Sequence, residues 1–129
     1  MTRERSLAAV WYTEAQDEPH VRLAVSTDCG ENFAPPVDLD GGRPLGRVDA
    51  CFLADGSVAV SWLERVSEGA QVRIRRVAPD GSMSEPVAVA TVSSSRASGV
   101  PRIVPFRTGV LVAWTEPNAV SRLRVAVVE

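Results

Sequence analysis

The stretch VSWLE at residues 60–64 recurs twice in this chain of 129 residues, as VWYTE at residues 10–14 and as VAWTE at residues 112–116. The tryptophans of the three copies are 51 and 52 residues apart. A second motif follows each copy after about ten residues, at 21–23 (VRL), 72–74 (VRI) and 123–125 (LRV). Self-similarity at a fixed period is typical of repeat proteins, so the sequence indicates three units of one repeat.

The apolar runs within each unit are short and rich in valine. VAVSW at residues 58–62 follows the turn signal Asp55-Gly56, and VLVAW at residues 110–114 follows Gly109. Short β-branched runs bounded by turn residues indicate strands, and runs that are apolar on both faces suit strands covered on both sides. No window combines a helical period with helix caps. The sequence therefore predicts an all-β protein.

A period near fifty residues with four predicted strands matches one blade of a β-propeller, a small twisted sheet stacked radially on its neighbours. Counting strands a to d outward from the axis, strand a covers residues 47–53 and 101–106, strand b carries the tryptophans, strand c carries the VRL-type motif, and strand d follows the turn after it. We expect a single propeller segment of about two and a half to three blades: a partial blade at 1–40, a full blade at 46–91 and a partial blade at 99–129.

An open arc of blades leaves strand edges and apolar faces uncovered, which proteins seldom tolerate. The chain is therefore expected either to be a piece of a longer propeller or to assemble with copies of itself. Two copies would complete a ring of six blades. We favour the homodimer.

The composition excludes several classes of partner. Fourteen basic residues, all arginine, oppose sixteen acidic ones, so the positive field of a nucleic-acid-binding protein is missing. No window approaches the roughly 18 apolar residues that a membrane span needs. No apolar segment follows the N-terminal basic residues, so we expect no signal peptide: the chain as given is expected in the cytoplasm, and would be exported only as part of a longer precursor. Cys29 and Cys51 lack His or CxxC neighbours and are expected to be free.

A turn motif, Ser26-x-Asp28-x-Gly30-x-x-Phe33, lies between the first predicted strands c and d. It resembles the Asp-box of the bacterial neuraminidase repeat, and through it the chain resembles the sialidase-like β-propellers. A second copy around Asp80-Gly81 is degenerate. The motif is expected to be structural: short Ser and Asp oxygens satisfy backbone N–H groups, Gly30 supplies a positive φ, and Phe33 folds back to seal the sheet. One isolated carboxylate is a poor calcium ligand set, so no metal or cofactor is expected.

The resemblance implies three arginines that hold a substrate carboxylate, a tyrosine nucleophile with a glutamate partner, and an acidic proton donor. The only tyrosine, Tyr12, lies on a predicted strand b instead of an inner strand. Glu14, Glu64 and Glu116 recur once per unit, as expected for a feature of every blade. We therefore assign no catalytic residue.

Two arginines and one aspartate stand near the starts of the predicted strands a, where side chains can face the central channel: Arg47, Asp49 and Arg102. A guanidinium there offers a planar fork for a carboxylate, whereas the alternative is a solvated or mutually paired channel lining. Three functions stay open: a non-catalytic module that binds a glycan or another acidic ligand, a structural or protein-interaction segment, and a sialidase-like glycoside hydrolase completed by oligomerisation.

Overall fold

The computed structural model describes residues 2–117 and 119–129, and these residues form strands joined by turns and two short 3-10 segments. The strands are β1 (Thr2–Arg3), β2 (Ser6–Thr13), β3 (His20–Ser26), β4 (Val37–Asp38), β5 (Pro44–Phe52), β6 (Val58–Arg65), β7 (Ala70–Val77), β8 (Val87–Val92), β9 (Arg102–Phe106), β10 (Gly109–Glu116) and β11 (Arg122–Val128). The all-β prediction is confirmed for this part of the chain. None of its helical segments has the length and apolarity needed to cross a membrane.

The strands form three antiparallel sheets, each following the order of the chain. Sheet 1 contains β1 to β4, sheet 2 contains β5 to β8, and sheet 3 contains β9 to β11. The segments predicted as strands a, b and c are found as strands in this order in sheets 2 and 3. Sheet 1 differs from the prediction, because β1 pairs with β2 on the edge that β5 and β9 occupy in the other sheets. Sheet 1 therefore has a first strand of two residues that was not predicted.

The strand register shows which positions of the three units are equivalent. Each tryptophan is paired with the arginine of the next strand, in the pairs Trp11–Arg22, Trp62–Arg73 and Trp114–Arg124. The glutamates do not repeat in the same way. Glu64 and Glu116 stand two positions beyond their tryptophans, whereas Glu14 stands three beyond Trp11. Glu14 lies just beyond the end of β2, and its side chain binds Tyr12 on the side of sheet 1 that faces sheet 2. Trp11 points to the other side of sheet 1.

Sheet 2 lies between the other two sheets, and a hydrophobic cluster fills each gap. The cluster between sheets 1 and 2 is built on Ala8, Val21, Leu23, Leu39, Val58, Val60, Trp62 and Val77. The cluster between sheets 2 and 3 is built on Cys51, Leu53, Ala59, Leu63, Ala70, Val72, Ile74, Val92, Ile103, Val110, Val112 and Trp114. We call the face of a sheet toward the preceding unit its leading face and the opposite one its trailing face.

Candidate functional site

Arg47 lies at an irregular point of β5, where the register shifts between Gly46 and Asp49 and the Arg47 backbone adopts a φ of 56°. Its guanidinium Nη1 donates hydrogen bonds to the carbonyl oxygens of Ser95 at 2.8 Å and Gly99 at 3.3 Å. Arg47 therefore ties the connection between sheets 2 and 3 to β5, and its guanidinium is engaged with the main chain.

Asp49 and Arg102 form an ion pair between β5 of sheet 2 and β9 of sheet 3. Arg102 Nε lies 3.2 Å from Asp49 Oδ2, and the same oxygen accepts the Ile103 N–H at 2.9 Å. Asp49 Oδ1 accepts the N–H of Ala50 at 3.0 Å. The Arg102 side chain is 76% exposed, so it stands at the rim of this pair. The structure thus brings Asp49 and Arg102 together, whereas the guanidinium of Arg47, which lies on the same strand as Asp49, is bound to the loop at Ser95 and Gly99.

The motif at residues 26–33 forms a hydrogen-bonded turn after β3. Ser26 Oγ donates to Asp28 Oδ1 at 2.7 Å and accepts the Gly30 N–H at 2.9 Å. Asp28 also accepts the backbone and side-chain N–H groups of Asn32, at 2.9 and 3.0 Å. The hydrogen bond from the Asn32 backbone is the main cause that lowers the Asp28 pKa to about 2. Gly30 has a φ of +89°, and a Cβ there would lie 2.8 Å from the Leu7 side chain.

Phe33 does not seal its sheet as predicted. Its side chain is 46% exposed and lines an open cleft with Trp11 and Ala24 on the leading face of sheet 1. The physical reason is that no other part of the described chain covers this face.

Tyr12 and Glu14 form a close pair at the end of β2, and both face sheet 2. Tyr12 Oη donates to Glu14 Oε1 at 2.6 Å. This hydrogen bond, followed by burial and by the negative charge of Glu14, raises the pKa of Tyr12 to about 12, although the positive charge of Arg65 acts in the opposite direction. Gly46 makes room for the ring, because a Cβ at Gly46 would lie 3.0 Å from Tyr12 Cγ.

The Tyr12 pair lines a cleft of about 260 Å³ between sheets 1 and 2, which we call the Tyr12 cleft. Its lining is Tyr12, Glu14, Pro19, Gly42, Arg43, Pro44, Leu45 and Arg65. The Arg65 N–H donates to the Arg43 carbonyl oxygen at 2.8 Å, so the two arginines are neighbours. Both are exposed, and neither forms an ion pair with another residue of the described chain. Two arginines and one carboxylic residue, Glu14, therefore line the Tyr12 cleft, which gives its lining an excess of positive charge.

A buried carboxylate holds the main chain that carries Arg43. Glu64 is almost fully buried; its Oε1 accepts the Trp62 indole N–H at 2.8 Å and the Gly41 N–H at 3.0 Å, and its Oε2 accepts the Arg43 N–H at 2.6 Å. Buried polar groups are normally satisfied in this way. Glu64 is thus a structural residue that fixes one side of the Tyr12 cleft.

Cys29 and Cys51 are free, which confirms the prediction. No group of three or more His, Cys, Asp or Glu within residues 2–117 and 119–129 is arranged to hold a metal ion. Comparison with known proteins finds no matching family model, no matching curated protein and no matching solved structure.

Proposed function

We propose that the chain is a non-catalytic β-propeller module, similar to the sialidase-like propellers, whose Tyr12 cleft binds an acidic ligand such as the carboxylate of a glycan. Three consecutive antiparallel sheets stacked in chain order support the assignment of consecutive blades. The sequence motif at residues 26–33 supports the resemblance.

The observation that carries the proposed function is the pair of exposed arginines beside Tyr12. A guanidinium binds a carboxylate through parallel N–H donors, and such charge-assisted hydrogen bonds are among the strongest in proteins. Arg43 precedes β5 and Arg65 ends the neighbouring strand β6, and one backbone hydrogen bond holds them side by side on one rim of the cleft. The partly exposed ring of Tyr12 adds an apolar surface on which a sugar ring can lie.

Binding is favoured over hydrolysis by the chemistry of the Tyr12 pair. A tyrosine with a glutamate partner is the arrangement that the resemblance implies for a nucleophile. The hydrogen bond from Tyr12 to Glu14 can activate the phenol, but cleavage of a glycoside also needs an acid that protonates the leaving group. Glu14 is the only carboxylic residue that lines the Tyr12 cleft in the described chain, and it is already engaged with Tyr12. No second carboxyl group stands there to protonate a leaving group.

A titration with N-acetylneuraminic acid, followed by NMR or calorimetry, tests the ligand. We expect binding that Arg43→Ala and Arg65→Ala each weaken by about 10-fold to 100-fold, the range for loss of one hydrogen bond to a charged group. Lactose, which lacks the carboxylate, should not bind, and a fluorogenic sialoside should not be hydrolysed.

Arg102→Ala is the matched control, because Arg102 is an exposed arginine outside the Tyr12 cleft. We expect no change in affinity. If Arg102→Ala alone abolishes binding, the ligand lies at the Asp49–Arg102 pair instead. If neither the acid nor any variant gives a signal, the ligand-binding proposal is wrong.

A second candidate function is a protein-interaction segment without a small ligand. The observation that favours it is the row of exposed apolar side chains on the trailing face of sheet 3, which are Val104, Phe106, Leu123, Val125 and Val127. A contiguous apolar patch on a protein surface marks an interaction site.

A further inference from the structure

The trailing faces of sheets 2 and 3 are equivalent position by position. The strand pairing aligns Cys51 with Val104 on the inner strands, and it aligns Val72 with Leu123 and Ile74 with Val125 on the third strands. The three residues of sheet 2 are buried under sheet 3. Their equivalents in sheet 3 are exposed, with Leu123 at 72%. Sheet 3 therefore has the surface that receives a following sheet, but the described chain has no sheet to place on it.

The leading face of sheet 1 shows the complementary pattern. In sheet 3, Val110, Val112 and Trp114 point from β10 into the trailing face of sheet 2. The register aligns these three positions with Leu7, Ala9 and Trp11 on β2. The β2 residues are only partly buried, and Trp11 and Ala9 line the open cleft beside Phe33. Sheet 1 therefore has the surface that packs onto a preceding sheet.

We propose that the trailing face of sheet 3 packs against the leading face of sheet 1 in a second copy of this chain. The contact would repeat the two interfaces that the chain already makes internally, because it joins the same face types at the same strand positions. A second copy supplies both missing faces at once, which explains why each face is apolar. Two such contacts related by a two-fold axis close a ring of six sheets, whereas a head-to-tail contact that does not close gives a filament.

Isologous pairing of two trailing faces is the main alternative mode. It would bury Leu123 and Val125 but would leave Trp11 and Phe33 exposed in both copies. It would also bring together two faces that have the same shape, instead of placing a tryptophan-bearing face on an aliphatic one as in the two internal interfaces. The head-to-tail contact is therefore favoured over the isologous one. It does not depend on the ligand proposed above.

The first experiment is sedimentation velocity of the full chain and of three variants. We expect the wild-type chain at twice 13.8 kDa. Leu123→Glu and Trp11→Glu should each shift the dimer dissociation constant upward by about 100-fold or more, because each buries an unpaired charge in the contact. Met83→Glu, on an exposed apolar residue in a turn of sheet 2, is the control and should stay dimeric. A wild-type chain that stays monomeric at millimolar concentration overturns the proposal.

The second experiment mixes the two defective variants in equal amounts. The Leu123→Glu chain keeps an intact sheet 1, and the Trp11→Glu chain keeps an intact sheet 3, so the mixture restores one intact contact. We expect a mixed dimer that neither variant forms alone, weaker than the wild-type dimer. If Trp11→Glu does not fold, Phe33→Glu replaces it, since Phe33 is exposed on the same face.

Two results of these experiments contradict the head-to-tail ring. If sheet 1 variants stay dimeric while Leu123→Glu does not, the trailing faces pair with each other. If the wild-type mass grows continuously with concentration, the contact is head-to-tail but the ring does not close. Both results leave ligand binding at the Tyr12 cleft untouched, so the two proposals fail independently.

Discussion

The trailing faces of sheets 2 and 3 have almost the same sequence pattern and opposite environments. Val72 and Ile74 are 0% and 5% exposed, whereas Leu123 and Val125, at the same positions, are 72% and 53% exposed. A strand pattern therefore reports which face is apolar, but it does not report whether another sheet covers that face. The covered face of sheet 2 therefore stabilises the single chain more than the exposed face of sheet 3, because only buried side chains contribute burial free energy.

The largest expected effect separates the two faces directly. Ile74→Ala should lower the free energy of unfolding by about 2–5 kcal/mol, because it leaves a cavity between sheets 2 and 3. Val125→Ala should change it by no more than about 0.5 kcal/mol under conditions in which the chain is monomeric. Urea denaturation of both variants at low protein concentration measures the difference. If both variants lose the same free energy of unfolding, the trailing face of sheet 3 is covered even in the single chain.

A smaller effect is expected where the two sheets repeat the Trp-x-Glu pair. Glu64 accepts three N–H groups in the interior, whereas Glu116 is partly exposed and pairs with Arg124 Nε at 3.1 Å. Glu64→Gln turns one acceptor into a donor that faces other donors, which should lower the free energy of unfolding by about 1–3 kcal/mol. Glu116→Gln loses only an exposed ion pair, usually worth about 0–1 kcal/mol.

Thermal unfolding of the two glutamine variants distinguishes these environments, because side-chain volume is nearly unchanged in both. If Glu116→Gln lowers the free energy of unfolding as much as Glu64→Gln does, the carboxylate of Glu116 also accepts buried hydrogen bonds. That result would weaken the contrast between the covered sheet and the open one.

The sequence predicts the repeat and most strands well, because both depend on local periodicity. The tryptophan and VRL-type motifs fall on neighbouring strands in register in all three sheets. The Tyr12 cleft could not be predicted in this way. Arg43 and Arg65 belong to a connection and to a strand end, and only the backbone hydrogen bond between them brings them together.

Phe33 and Glu14 show the same limit of local patterns. Phe33 matches its motif but stays exposed, since sealing requires a neighbouring surface that the motif does not encode. Glu14 matches the spacing of the other glutamates to within one residue, and this one residue moves its side chain to the opposite face. Motifs therefore predict where the strands lie, but the face to which a side chain points depends on the exact residue spacing. Whether another sheet covers that face depends on contacts distant in sequence.

The smallest expected effect compares the complete turn at residues 26–33 with the degenerate turn around Asp80. Asp28 accepts hydrogen bonds from Ser26 and Asn32, which lower its pKa from 3.8 to about 2. Because the pKa of Asp28 is lower in the folded chain than in the unfolded one, its ionised carboxylate stabilises the fold at pH values above about 3.8. This stabilisation is lost as the pH falls toward about 2. Asp28→Ala should therefore destabilise the chain at neutral pH, and its difference from wild type should shrink as the pH falls from about 4 to about 2.

Asp80 is the matched control, because its pKa is also lowered but its hydrogen bonds come from Ser82 alone. Asp80→Ala should show the same sign of pH dependence with a smaller amplitude. NMR titration of the two carboxyl carbons gives the folded-state values directly, and denaturation at several pH values gives the stability differences. An Asp28 titration midpoint near 3.8 would mean that the complete motif does not stabilise its carboxylate, and the contrast between the two turns would then disappear.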